Sequence, residues 1–250
     1  MNTSIVIPVL NSHEVVRRQL LHFERIGLPD DTELILVDDG SDPPLECNTA
    51  LKNVRLHVTG DERPWTWALA RNAGARLAQG KYLLMTDVDH ILSRALIDMV
   101  RAFDGQKMQF VREFGVLDEN GVFTQDPHVL VQYGLPLRRI ERHGVKMKPL
   151  PNNFAMRADV FWALGGYRED LVGRRYPQGE DSAFKGAWQR WQAAGKGQVH
   201  HERPTIYMFP NGQYCGDVDH NPFGLFHNLS RKTNRNYVYR QQRRRQVVGK

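Results

Sequence analysis

Three short apolar runs, each ending in polar residues, constrain this chain more than any other feature. Ser4 to Leu10, Leu34 to Val37 and Tyr82 to Met85 are dense in Ile, Val and Leu. Runs this short and this continuously apolar read as strands buried on both faces, the pattern of a parallel sheet. Between them the period changes. Val16, Leu20 and Phe23 recur at helical spacing, with Ser12 as the expected N-cap, Glu14 in the first turn and Gly27 closing the helix. Val54 to Val58 reads as a further strand and Trp65 to Gln79 as a helix closed by Gly80. Ser93 is placed to cap another helix, with Leu96, Val100 and Phe103 on one face. Strands and helices alternating at these lengths predict an α/β fold with a largely parallel central sheet.

Beyond about residue 105 the alternation breaks down. Lys107 to Val116 and Gly121 to Thr124 suggest a hairpin turning at Asp118-Glu119-Asn120-Gly121. Residues 126–153 read as irregular. Asp159 to Leu164 and Glu180 to Ala194 read as helices, and Val199 to Phe209 as a strand. Trp188 and Trp191 lie three apart on one helix face, which points to core packing, whereas Trp65 and Trp67 follow Arg63-Pro64 and suit a cleft.

The charge balance is basic, +6 with a pI near 9.4, and the excess gathers in the Arg-rich stretch from Arg231 to Lys250. Such a stretch can hold phosphorylated substrates, anionic lipid or nucleic acid, or be a solvated end. The two cysteines, Cys47 and Cys215, build no disulfide framework. The opening residues lack the basic leader of a signal peptide, and no run approaches the ~20 apolar residues that span a bilayer. The expectation is a cytoplasmic protein, peripheral at the inner face of a membrane at most.

The chemistry gathers at the strand ends, where open α/β sheets bind ligands. Asp87 and Asp89, one residue apart after a buried strand, can hold a divalent cation that keeps waters and substrate phosphates as further ligands. A solvated turn has the same sequence. In Asp38-Asp39-Gly40-Ser41-Asp42 a carboxylate can meet a base N–H or ribose hydroxyls, or can cap the turn that Gly40 permits. Glu180 and Asp181 open a helix, where acids are favoured electrostatically; one of them can also serve as a general base. No Gly-X-Gly-X-X-Gly or Walker A loop follows the first strand, so a diphosphate here must be neutralised by a metal with Lys or Arg.

These residues, in this order, resemble the family 2 glycosyltransferases with the GT-A fold. The likeness lies in Ile5-Val6-Ile7-Pro8-Val9-Leu10-Asn11, Leu36 to Asp42, Arg71-Asn72-Ala73-Gly74, Ala78 to Tyr82, Asp87-Val88-Asp89, Gly165-Gly166-Tyr167 and Gly179-Glu180-Asp181. The resemblance implies a nucleotide site of Pro8, Val9, Asn11, Asp39, Arg71 and Asp87, with Asp39 on the base and Asp87 on the ribose or a metal-bound water. It implies Asp89 as a metal ligand, Asp181 as the base of an inverting transfer and Glu180 on acceptor hydroxyls. Gly165 and Gly166 would let the backbone approach the donor sugar. The implied layout is a catalytic domain over 1–210, with a nucleotide-binding half (1–105) and an acceptor-binding half (106–210), followed by a metal and phosphate segment over 211–250. The implied partners are a nucleotide-diphosphate sugar, with UDP the expected nucleotide, and a glycan or other hydroxyl acceptor, as in polysaccharide biosynthesis.

One departure stands out. The strand ending Ile206 to Pro210 has no His after it, where the family often does. Leu225 to Lys232 is instead similar to the His-Ser-Arg region of β-1,4-galactosyltransferases. That likeness implies His227, then His220, as the further metal ligand, and Arg231 and Lys232 on the diphosphate. An imidazole in the ligand set suits Mn²⁺ better than Mg²⁺. Two other readings stay open: a sugar nucleotidyltransferase, although Pro8 to Asn11 is no basic Gly-rich loop, and a nucleic-acid binder acting through the Arg-rich end.

Overall fold

The computed structural model describes residues 1–61, 66–147, 153–171, 179–198, 200 and 203–210. His220, His227, Arg231, Lys232 and Trp65 therefore lie outside the described residues, as does the basic stretch.

The elements run in the order β1 (Thr3–Val9), α1 (His13–Ile26), β2 (Thr32–Asp38), β3 (Val54–Val58), α2 (Trp67–Leu77), β4 (Tyr82–Met85), β5 (His90–Ile91), α3 (Arg94–Ala102) and β6 (Lys107–Gln109). Then follow β7 (Val111–Phe114), β8 (Val116–Leu117), β9 (Phe123–Thr124), α4 (Pro127–Gln132), α5 (Leu137–His143), β10 (Lys146–Met147) and β11 (Phe154–Arg157). Last come α6 (Ala158–Ala163), a 3₁₀ turn at Glu169–Leu171, α7 (Glu180–Ala193) and β12 (Thr205–Met208).

The main sheet has the order β3-β2-β1-β4-β11-β6, and only β11 runs against the rest. Side chains alternate across it with period two. Ile5, Ile7 and Val9 of β1 join the core beneath α1 and α3, while Val6 joins the core beneath α2, α6 and α7. After β1 the chain builds outward through β2 and β3, and α2 then carries it back to β4 on the other side of β1. Strand order thus reverses between β1 and β4, and such a switch point opens a ligand crevice at the carboxyl ends of the strands. A second sheet, β10-β7-β12-β5, lies beyond that edge around its own apolar cluster.

The structure corrects several sequence readings. Residues 126–153 are not irregular throughout, since α4, α5 and β10 lie there. Asp126 caps α4, its carboxylate accepting from the His128 N–H at 2.8 Å. Lys107 to Val116 is not one arm of a hairpin; it is divided among β6, β7 and β8, and only β8 and β9 pair as expected. Ser12 precedes α1 without capping it, because its hydroxyl donates to the Leu10 carbonyl at 3.0 Å. Gly80 does not close α2, which ends at Leu77 with Ala78 as its C-cap; the Gly80 N–H instead donates to the Ser4 hydroxyl at 2.8 Å. Ser93 does cap α3. The last strand is shorter than expected, beginning at Thr205.

Candidate active site

The carboxyl ends of β1, β2 and β4 meet at the switch point, and the three polar clusters meet with them. Val9 lies opposite Asp38, and the Val9 carbonyl accepts from the Asp39 N–H at 2.8 Å. Asn11 adopts a positive φ of 50°, which Asn tolerates better than most residues. That turn lets the Asn11 carboxamide oxygen accept from the Asp42 N–H at 2.7 Å, while its own N–H donates to the Ser41 hydroxyl at 2.9 Å. The two loops are thereby tied together.

Within the Asp38 to Asp42 turn the two acids divide their work. The Asp38 carboxylate accepts from the Ser41 and Leu45 N–H groups, both at 2.8 Å, and shapes the turn that Gly40 makes at φ +80°. Asp39 is 1% exposed and accepts from the Thr66 hydroxyl at 2.6 to 2.7 Å, beside the start of α2. Pro8 is partly exposed here. Val9 turns its side chain into the core, so only its backbone faces the loops.

The Asp87 to His90 turn closes on itself through His90 N–H to the Asp87 carbonyl at 3.0 Å. It is held from two sides. The Gln19 carboxamide, on α1, donates to the carbonyls of Val88 (3.0 Å) and His90 (2.6 Å). From the second sheet, Phe209 N–H donates to the Asp89 carbonyl at 2.9 Å. One ligand atom from each of Asp87, Asp89 and His90 lies within 4.8 Å of the others. Two carboxylates on a braced turn, with the His90 imidazole beside them, fit a small divalent cation. The His90 ring is 1% exposed, and both its nitrogens are engaged: Nδ1 bonds Asp89 Oδ1 at 2.7 Å and Nε2 bonds the Asn153 carboxamide nitrogen at 3.2 Å.

Arg71 joins this turn to the helix carrying the other acids. Its guanidinium donates to Asp87 at 2.6 Å and reaches Asp181 at 3.4 Å. The rings of Tyr167 and Trp67 lie 5.2 and 5.8 Å from its centre. Burial opposes the Arg71 charge, but Asp87 and Asp181 outweigh it and raise the pKa above its ordinary value. Asp181 keeps 32% of its side-chain surface, although protein encloses it on most sides. Burial pushes its pKa up from 3.8 to about 6; Arg71 pulls it down, and Asp87 and Glu180 push it up. Glu180, by contrast, is only 5% exposed. Both acids begin α7, entered through Gly179 at φ +115°, a backbone setting that favours glycine.

α7 packs into the core through its own Phe184 and Trp188, with the Lys107 ammonium lying over the Phe154, Phe184 and Trp188 rings. The Gly165-Gly166-Tyr167 segment docks on α2. There the Asn72 carboxamide nitrogen donates to the Tyr167 carbonyl and its oxygen accepts from the Tyr167 N–H, at 2.8 and 3.0 Å. Gly166 sits at φ +61°, and a Cβ there would come within 3.0 Å of both Asn72 and Trp162.

The sequence-predicted residues therefore divide. Pro8, Asn11, Asp39, Asp87 and Asp89 lie at or just beyond the carboxyl ends of β1, β2 and β4, and Arg71 joins Asp87 to Asp181. Glu180 is buried beside it, and Gly165 and Gly166 hold the loop that leads to Tyr167. Four residues assigned no role from sequence also shape the site: Gln19, Thr86, His90 and Asn153. His90 had a signal, since it follows the Asp-X-Asp pair directly; Asn153 had none.

This fold is that of the GT-A glycosyltransferases: a mixed, mostly parallel sheet with flanking helices and an acidic turn at its switch point. Among solved structures the chain is similar to S. aureus TarS 1–349 in complex with UDP, at 17% identity and TM-score 0.52, covering 85% of this chain and 62% of that one. It is also similar to the mannosyltransferase PcManGT from Pyrobaculum calidifontis in complex with GDP-Man and Mn²⁺, at 16% identity and TM-score 0.48, covering 83% and 56%. The chain thus spans less than two thirds of the length of these structures. The profile of glycosyl transferase family 2 matches residues 4–165, and the chain belongs to that family. No curated protein matches it in sequence. Among the described residues no helix is long and apolar enough to cross a membrane.

Proposed function

We propose that the protein transfers a sugar from a nucleoside-diphosphate sugar, UDP-linked by preference, to an acceptor hydroxyl with inversion. One observation carries this reading: Arg71 ties the acidic turn at the end of β4 to Asp181 at the head of α7. An acidic turn and a carboxylate of raised pKa are thereby held together in a family 2 glycosyl transferase.

In this reading Asp39 and the Pro8 to Asn11 loop receive the nucleoside, and Asp87 and Asp89 hold a divalent cation, Mn²⁺ by preference. When bound there, the cation supplies positive charge against the donor's diphosphate, the largest electrostatic demand of such a transfer. Asp181 accepts the proton of the attacking hydroxyl as that oxygen bonds to the anomeric carbon and the bond to the diphosphate breaks. A carboxylate with a pKa near 6 is ionised at neutral pH yet a better proton acceptor than an ordinary one. Arg71 holds Asp181 and Asp87 in fixed relation without consuming a proton. His220, His227, Arg231 and Lys232 are candidates to complete the metal and diphosphate contacts.

The test is a screen of nucleotide sugars with Mn²⁺ on the wild-type chain, read by release of nucleoside diphosphate. Release that depends on metal and on one sugar class supports the reading. Release of pyrophosphate from a nucleoside triphosphate plus a sugar phosphate would instead identify a nucleotidyltransferase.

A further inference from the structure

The Asp87 to His90 turn continues into the protein interior as a chain of hydrogen bonds with a defined polarity. Thr86 and Asn153 face each other because β11 runs antiparallel to β4, with Phe154 opposite Met85. The Thr86 hydroxyl donates to the Asn153 carboxamide oxygen at 2.8 Å. The other end of the carboxamide, its nitrogen, lies 3.2 Å from His90 Nε2. A carboxylate only accepts, so the ring nitrogen that faces Asp89 carries a proton. The ring proton then resides on Nδ1 and is donated to Asp89 Oδ1 at 2.7 Å. Thr86, Asn153 and His90 are each 1% exposed or less, so water does not compete for these bonds.

We propose that His90 is a positioning residue for the cation site. Through this chain it fixes one oxygen of Asp89 and thereby aims the other at the cleft, and it is not itself a metal ligand. The inference rests on the metal reading above. Its physical logic is that outer hydrogen bonds orient a ligating carboxylate before the metal arrives, and their loss typically weakens metal binding by roughly 10- to 100-fold. With both ring nitrogens engaged, His90 can enter the coordination sphere only by breaking a buried hydrogen bond.

The two amide side chains separate this role from simple packing. The side-chain nitrogen of Asn stands as far from its Cα as histidine Nδ1 does, so His90→Asn keeps a donor for Asp89. Gln is one bond longer and reaches the place of Nε2, so His90→Gln keeps the Asn153 contact and loses the donor to Asp89. The experiment titrates the full chain with Mn²⁺ alone, reading free Mn²⁺ by electron paramagnetic resonance, with melting temperatures measured in parallel. The expected result is Mn²⁺ affinity within about threefold of wild type for His90→Asn and at least about tenfold weaker for His90→Gln. Equal affinities for the two variants overturn the inference, whatever their stabilities. So does a nitrogen-14 coupling to bound Mn²⁺ that is present in the wild type and absent in His90→Asn, since it would make His90 a ligand. Asp89→Ala is the control for the underlying reading: if it binds Mn²⁺ like the wild type, the metal site itself is wrong and the proposal falls with it.

Discussion

Replacing Arg71 with Met removes the cation between two acids and keeps much of the side-chain volume. The Arg71 side chain is 2% exposed, while Asp87 and Asp181 retain 24% and 32% of theirs. Breaking a fully buried ion pair costs about 3–5 kcal/mol, mostly from the charge left behind. Partial solvent access to both carboxylates lowers this below that range, to about 2–3 kcal/mol. For a chain of this size that is a fall of roughly 4–12 °C in melting temperature. The sign of its pH dependence follows from Asp181. Arg71 lowers the pKa of Asp181, which already stands at about 6 in the intact site. Without Arg71 it rises further, and a carboxylate whose folded pKa is raised loses stability as pH increases through that pKa. The deficit of Arg71→Met should therefore be largest at pH 8 and shrink at pH 5, where Asp181 takes up a proton. Calorimetric melts of both proteins at the two pH values measure it. A variant melting within a degree of the wild type at pH 8, or a deficit equal at both pH values, would refute the proposed coupling.

Asp181→Asn should lower transfer at least about 100-fold, the lower end of what a general base contributes, with nucleotide affinity kept within a few-fold in a calorimetric titration. The same substitution should stabilise the fold at pH 8, because it removes a charge that burial disfavours. The shift of about two pKa units corresponds to about 3 kcal/mol at most, reduced to about 1–2 by the exposed third of the side chain. That gain should vanish in melts at pH 4, below the folded pKa. Gly74→Ala should cost about 1–3 kcal/mol by overpacking, since its Cβ would fall 2.4 Å from a Val6 methyl and 3.0 Å from one of Val37. Urea unfolding measures this; a neutral or stabilising effect would contradict the close helix-to-sheet contact.

Much of the site was legible because its acids sit where apolar runs stop. Leu34 to Val37 ends at Asp38-Asp39 and Tyr82 to Met85 ends at Asp87, and a parallel sheet brings such ends to one edge whatever lies between them. The Arg71-Asn72-Ala73-Gly74 motif was visible, but its meaning was not. The structure gives each residue a separate contact: Arg71 to the two acids, Asn72 to the Tyr167 backbone, Gly74 against β1. Nothing local in the sequence distinguishes these partners, because they lie from 16 to 110 residues away. Asn153 was illegible for the same reason. It acts only because β11, a four-residue strand with no predicted counterpart, returns antiparallel beside β4 and sets it opposite Thr86. Ser12 and Gly80 show the converse: both have the right local chemistry for helix caps, but Ser12 turns back to the Leu10 carbonyl and Gly80 is drawn to Ser4 on a neighbouring strand.

The most direct test of the account is a calorimetric titration of UDP into the wild-type chain and Asp89→Ala, with Mn²⁺ and again with chelator. The expected result is binding to the wild type that requires the metal and is lost in the variant. UDP binding of equal strength in both proteins, or unchanged by chelation, would contradict a cation held between Asp89 and the donor's phosphates.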